Sequence, residues 1–222
     1  MRNANENTVS SKNQLPVTSE RFYLGNEKAK HKVLIIGNSI TRHGPKPEPL
    51  GWYGDWGMAA SAPECDYVHL LASYLEKDGI DAFTFVRQAV VWERGHNNPD
   101  ILSELKLENE FCADVVVFRL GENIKDFENL EENLYKLIKF ICPSGKVIFA
   151  TTVWKCDVVN AAITAVAGRM GECLVDITAV GKEDKYMALD KFSHPGVAMH
   201  PGDEGMKYIA DKIYPELKKL LS

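Results

Sequence analysis

Three short runs constrain this chain more than any other feature: Val33-Leu34-Ile35-Ile36, Val115-Val116-Val117-Phe118 and Val147-Ile148-Phe149-Ala150. Each is four consecutive apolar residues with no polar alternation. A strand with one wet face alternates apolar and polar positions, so an unbroken run predicts a strand covered on both faces. Phe83–Val86 and Leu174–Ile177 carry the pattern more weakly. Together they predict a sheet of about five parallel strands.

Helical periodicity fills the intervals. Over Asp66–Lys77 the positions Tyr67, Leu70, Leu71, Tyr74 and Leu75 share one face, with Asp66 as N-cap and Gly79 as stop. Phe127, Leu130, Leu134, Leu137, Ile138 and Ile141 repeat the spacing up to Pro143, and Val158–Met170 runs into Gly171. A last helix starts near Pro201 and turns Met206, Ile209, Ala210, Ile213 and Leu217 inward, with Pro215 expected to kink or split it. Strand and helix alternating in this way predict an α/β three-layer sandwich, with helices on both faces of the sheet. At 222 residues the chain has room for one such domain, expected over residues 21–222 behind a flexible, Asn- and Ser-rich tail at 1–20.

Composition narrows the partners. The net charge is −5, whereas a nucleic-acid surface needs a basic excess. The same charge favours a neutral ligand over an acidic one. No run approaches 18 uncharged apolar residues, so no membrane span is expected. The five cysteines (Cys65, Cys112, Cys142, Cys156 and Cys173) are odd in number and form no CxxC pair, which reads as free thiols in a reducing compartment. The first thirty residues hold no signal-peptide core, and the expected location is the cytoplasm.

In a parallel sheet, ligands sit beyond the carboxyl ends of the strands. Three segments stand there. Gly37-Asn38-Ser39-Ile40 follows the first run and puts a serine on a sharp strand-to-helix turn, its hydroxyl exposed and its N–H free to meet an oxyanion. Taken alone the tetrapeptide is ordinary turn chemistry. Gly121-Glu122-Asn123 follows the second run and offers a side-chain amide as donor, or a plain turn. His200-Pro201-Gly202-Asp203-Glu204-Gly205-Met206 opens the last helix, where the helix dipole favours a neutral imidazole.

In this order and context the three segments resemble the SGNH hydrolases, the GDSL-like lipase and esterase family, over roughly residues 32 to 221. The resemblance implies an SGNH, flavodoxin-like sandwich and a serine esterase; His194 and His200 have no third ligand at a recognisable spacing, so no metal or other cofactor is expected. Ser39 would be the nucleophile and His200 the base. The oxyanion hole would combine the Ser39 N–H, the Ala89 N–H from the second block Arg87-Gln88-Ala89-Val90-Val91, and the Asn123 amide. Ala89 stands where the family has glycine.

A larger departure is Val197, which occupies the position of the family's acid, three residues before the histidine. Either a backbone carbonyl or water orients His200, or Asp190, Asp203 or Glu93 reaches in, or the site is weak or silent. The segment from Gly44 to Pro63 is long and aromatic, with Trp52, Tyr53 and Trp56 as candidates to stack on a sugar, while Trp92 and Trp154 follow strands and are candidates to line the same cleft. The expected substrate is a small-molecule ester, a short acyl group (acetyl) on a carbohydrate. The alternatives are a catalytically silent carbohydrate- or ester-binding protein and a lysophospholipase- or thioesterase-type enzyme.

Overall fold

The computed structural model describes residues 20–222. The expected tail therefore lies outside the described residues, except for Glu20. Six strands form one sheet: β1 (Arg21–Leu24), β2 (His31–Gly37), β3 (Ala82–Gln88), β4 (Val115–Arg119), β5 (Lys146–Ala150) and β6 (Cys173–Val175), in the spatial order β1-β3-β2-β4-β5-β6. Strands β2 to β6 run parallel, and β1 pairs antiparallel with β3 at the edge.

Why the apolar runs form the central strands is visible in where alternate residues go. Val33, Ile35, Val115, Val117, Ile148 and Ala150 enter one core layer. Leu34, Ile36, Val116, Phe118, Val147 and Phe149 enter the other. Helices α2 (Tyr67–Lys77) and α8 (Asp203–Leu221) close the first layer, while α5 (Leu130–Ile141) and α6 (Asp157–Met170) close the second. The short helices α1 (Pro47–Leu50), α3 (Val90–Gly95), α4 (Lys106–Phe111) and α7 (Pro195–Ala198) sit in the connections.

Two expectations change. The edge strand β1 is an addition, held by Tyr23 stacking on Phe85 at 4.6 Å and on Phe83 at 5.4 Å. Pro215 does not split the last helix, which runs unbroken for 19 residues. Pro215 lies on the exposed side, so the carbonyl it leaves without an N–H faces water, while Ile213 and Leu217 stay buried.

The chain leaves β2 to pair β3 on one side, then returns to pair β4 on the other. That reversal opens a crevice at the carboxyl ends of β2 and β4. Ser39 and Asn123 follow those two strands.

Candidate active site

The turn that carries Ser39 is built by its neighbours. Asn38 is fully buried; its carbonyl accepts from the Thr41 and Arg42 N–H groups (2.9 and 3.0 Å), and its Oδ1 accepts from the Ile40 N–H (3.2 Å). Gly37 is needed one residue earlier, because a Cβ there would collide with Thr41 Oγ1 and stand 2.9 Å from the Arg119 carbonyl. Thr41 is itself fixed by Tyr67 at 2.7 Å. The Ser39 carbonyl accepts from the Met58 N–H (2.9 Å), and its own N–H has no acceptor among the described residues. Serine is thus locked at the strand end with hydroxyl and amide both available.

His200 meets it from the far end of the chain: Ser39 Oγ lies 2.8 Å from His200 Nε2. The other ring nitrogen, Nδ1, lies 2.7 Å from the Gly196 carbonyl in α7. A carbonyl can only accept, so Nδ1 carries the proton and Nε2 presents a lone pair to the serine hydroxyl. The backbone around His200 is pinned on both sides, with its N–H on the Val197 carbonyl (2.9 Å) and its carbonyl on the Ala188 N–H (2.9 Å). Burial lowers the His200 pKa to about 4, and the Gly196 contact offsets only part of that. The imidazole is therefore neutral at pH 7 and able to take a proton.

None of the three candidate carboxylates touches His200. Asp203 is committed to the Ser61 N–H and hydroxyl, at 2.8 and 2.7 Å. Asp190 sits in a left-handed turn with φ 63° and makes no hydrogen bond to the ring. Glu93 points behind the site. Of the alternatives open from the sequence, the backbone carbonyl is the one in contact with the ring, and Val197 packs with Trp52, Met58, Ala59 and Ala188 in an apolar cluster.

Behind Ser39 and Asn123 lies a buried polar network. The Arg119 guanidinium donates to Glu122 Oε1 at 2.6 Å and also reaches Asn38 Oδ1. Asn38 Nδ2 donates to Glu122 Oε2 (2.6 Å) and Glu93 Oε1 (3.0 Å). Glu93 further accepts from the Gly121 N–H at 2.6 Å and from Asn123 Nδ2 at 2.7 Å. Burial alone would raise the Glu122 carboxyl, but the Arg119 charge overrides it and holds Glu122 below the usual range. Glu93 is lifted above it by burial and by the Glu122 charge, against the pull of its donors. The network fixes the Asn123 amide, taking one of its two N–H hydrogens and leaving the other.

Ala89 is a second correction. Its N–H is spent on the Gly37 carbonyl at 2.7 Å, so it has no free donor to offer. The next amide, Val90 N–H, is held by the Gln88 side chain at 3.1 Å. The tryptophans are a third: none of the four lines the cavity at Ser39. Trp52 and Trp92 are buried in the core, where their large apolar area is best spent. Trp56 donates its indole N–H to the Ala60 carbonyl at 2.9 Å, bracing the loop. Trp154 comes nearest, edge-on to the His200 ring at 5.4 Å between centroids.

The cavity over Ser39 and His200 encloses about 370 Å³. Leu50, Met58 and Val197 give it an apolar patch; Asn123, Lys46 and Arg94 give it polar walls. Gly196, Lys46 and Arg94 were not among the residues singled out from the sequence. Among the described residues, no group of three His, Cys, Asp or Glu side chains is placed to hold a metal ion.

Solved structures share this architecture. A protein assigned as a GDSL-like lipase from Bacteroides ovatus superposes with a TM-score of 0.54 at 12% identity, covering 86% of this chain and 100% of that one. A lipolytic G-D-S-L family member from Veillonella parvula gives 0.56 at 15% identity, with 85% and 98% covered. The chain has the SGNH-hydrolase fold. A family two carbohydrate esterase from Cellvibrio japonicus shares it at a TM-score of 0.50 and 13% identity, over 87% of this chain and 62% of that one. No protein-family model matches the sequence, and no curated protein matches it.

Proposed function

We propose that the chain is a serine ester hydrolase acting through Ser39 and His200 without an acid partner. The observation that carries this reading is the pair of contacts on the His200 ring, Ser39 Oγ on Nε2 and the Gly196 carbonyl on Nδ1. Ser39 Oγ attacks the ester carbonyl carbon while its proton passes to Nε2. The carbonyl oxygen, now anionic, is met by the Ser39 N–H and the remaining Asn123 amide N–H. Collapse expels the alcohol, which takes the proton from Nε2. Water then enters, gives its proton to Nε2 and releases the acid from Ser39. The Gly196 carbonyl does the orienting work of the usual carboxylate, holding the tautomer, but it adds no negative charge to stabilise the imidazolium.

The apolar patch of Leu50, Met58 and Val197 is small, which favours a short acyl group such as acetyl. Similarity to GDSL-like lipases and a carbohydrate esterase supports esters as the bond class. The test is labelling of the wild-type protein by a fluorophosphonate probe, with hydrolysis of p-nitrophenyl acetate followed in parallel. Wild type is expected to label stoichiometrically at Ser39. Ser39→Ala and His200→Ala should each lower turnover by about 10³-fold or more. Folded wild type that neither labels nor hydrolyses acetate would sink the enzyme reading and leave the fold as a binding protein.

A further inference from the structure

The cavity wall carries a charge pattern that the whole-chain balance hides. The protein has a net charge of −5, yet no Asp or Glu lines the cavity at Ser39, while Lys46 and Arg94 both do. The described residues include six arginines. Five of them (Arg21, Arg42, Arg87, Arg119 and Arg169) are each paired with a carboxylate. Arg94 alone is not, among the described residues, and Lys46 has no ion-pair partner there either. Both side chains are exposed on the wall of one cavity, and no carboxylate in that wall offsets their charge, so the field there favours an anion.

Local structure presents both groups rather than leaving them on loose chain. Arg94 lies on α3 directly after Glu93; the glutamate turns into the buried network and the arginine stays exposed. Lys46 is fixed by a two-way backbone bridge to Trp52, with N–H···O distances of 2.8 and 3.3 Å. Trp52 is in turn tied by its indole N–H to the His43 carbonyl at 2.9 Å. His43 and His194 complete the same wall. The buried carboxylates nearest by connection, Glu93 and Glu122, are already committed to Asn38, Asn123, Gly121 and Arg119. They supply no partner for the wall.

We propose that the ester accepted by this site carries a carboxylate or phosphate beyond its short acyl group, and that Arg94 and Lys46 bind that anion. A guanidinium fork matches either oxyanion through two parallel hydrogen bonds, and an ammonium adds a point charge. The proposal rests on the ester-hydrolase reading of the same cavity and narrows its substrate class to acidic esters, against the neutral ligand expected from the net charge.

Hydrolysis of mono-O-acetylated methyl glucuronoside, methyl glucoside and glucose 6-phosphate measures the selectivity directly. The kcat/KM for a charged ester is expected to exceed that for the neutral one by about tenfold at low salt, and the ratio to shrink as salt rises to about 0.5 M. Arg94→Gln and Lys46→Gln should each lower the ratio several-fold, and Arg94→Glu should invert it. The charged ester with the larger ratio identifies the anion. Equal values for charged and neutral esters in wild type, or a ratio that survives in the double variant, would overturn the proposal.

A second readout does not depend on turnover. Methyl glucuronoside and glucose 6-phosphate, without any acetyl group, are titrated by NMR against Ser39→Ala protein, with methyl glucoside as the neutral control. Binding of an anion that is lost in Ser39→Ala/Lys46→Gln/Arg94→Gln supports the proposal even where no ester is cleaved, and then only the hydrolase reading falls. Indifference to charge overturns it even where neutral esters are cleaved.

Discussion

The proton on His200 Nδ1 has a neutral acceptor, and this governs how the site responds to pH. A carboxylate at that nitrogen would stabilise the imidazolium and raise its pKa; the Gly196 carbonyl, a dipole without net charge, does so only weakly. Burial therefore wins, and the ring gains its proton only at about pH 4. A base must be unprotonated to act, so kcat/KM for an uncharged ester is expected to stay flat from neutrality to near pH 5. Below about pH 4 it should fall tenfold per unit. A rate profile with its acid limb near 6.5, the ordinary histidine value, would show that the ring is solvated or paired with a charge. Ser39, Asn123 and His200 could be picked out because three short segments, in order, resemble the SGNH hydrolases, and the structure brings all three to one cavity. Gly196 was not, because a backbone carbonyl belongs to every residue type and leaves no compositional trace. The tryptophans misled for a related reason: an aromatic after a strand suits a cleft and a core equally, and burial of area decided for the core at Trp52 and Trp92.

At the level of elements, α3 links the sheet to the site with only six residues. Its Glu93 carboxyl accepts from Asn38, Gly121 and Asn123 within a region closed to water. Gly121 sits at φ 146°, and a Cβ on it would stand 2.7 Å from Thr152 Cγ2 and 2.8 Å from Val159 Cγ1, so this segment has no room to shift towards new partners. Glu93→Ala is thus expected to strand several buried donors at once and to cost about 3 kcal/mol or more of stability. The urea midpoint at pH 7 measures it; a change within about 0.5 kcal/mol would mean that water replaces the carboxyl. The long elements were legible because each declares its burial: strands β2, β4 and β5 by unbroken apolar runs, and α2, α5 and α6 by faces repeated over several turns. Helices of four to six residues such as α1, α3, α4 and α7 complete too few turns to show a face. Strand β1 is four half-buried residues held by partners distant in sequence, with Phe83 and Phe85 offering Tyr23 a surface and His69 stacking on Phe22, which is a tertiary fact.

Across the whole molecule, the fold keeps an ionisable ring desolvated beside Ser39, and on the proposed function this couples activity to stability. Above pH 6.5 both folded and unfolded chains carry His200 neutral, and the residue contributes no slope. Between 6.5 and about 4 the unfolded chain binds a proton that the folded site refuses. The unfolded state then holds more protons, so stability must fall as the pH falls, by up to about 1.4 kcal/mol per unit from this one residue. Below about 4 both states are protonated and the slope ends. His43, also held below the ordinary value by burial, acts with the same sign, as does Glu122 at lower pH still. The raised Glu93 opposes them. A raw stability curve mixes these with other shifted carboxylates such as Asp55 and Asp176, whereas the difference between wild type and His200→Gln isolates the ring, since glutamine keeps polar atoms at the site without titrating. That difference, taken from urea midpoints between pH 7 and 4.5, should shift steadily in favour of the variant as the pH falls. Parallel curves would mean that the folded chain accepts the proton as readily as the unfolded one, and the acid limb of hydrolysis would then have to lie near 6.5 as well.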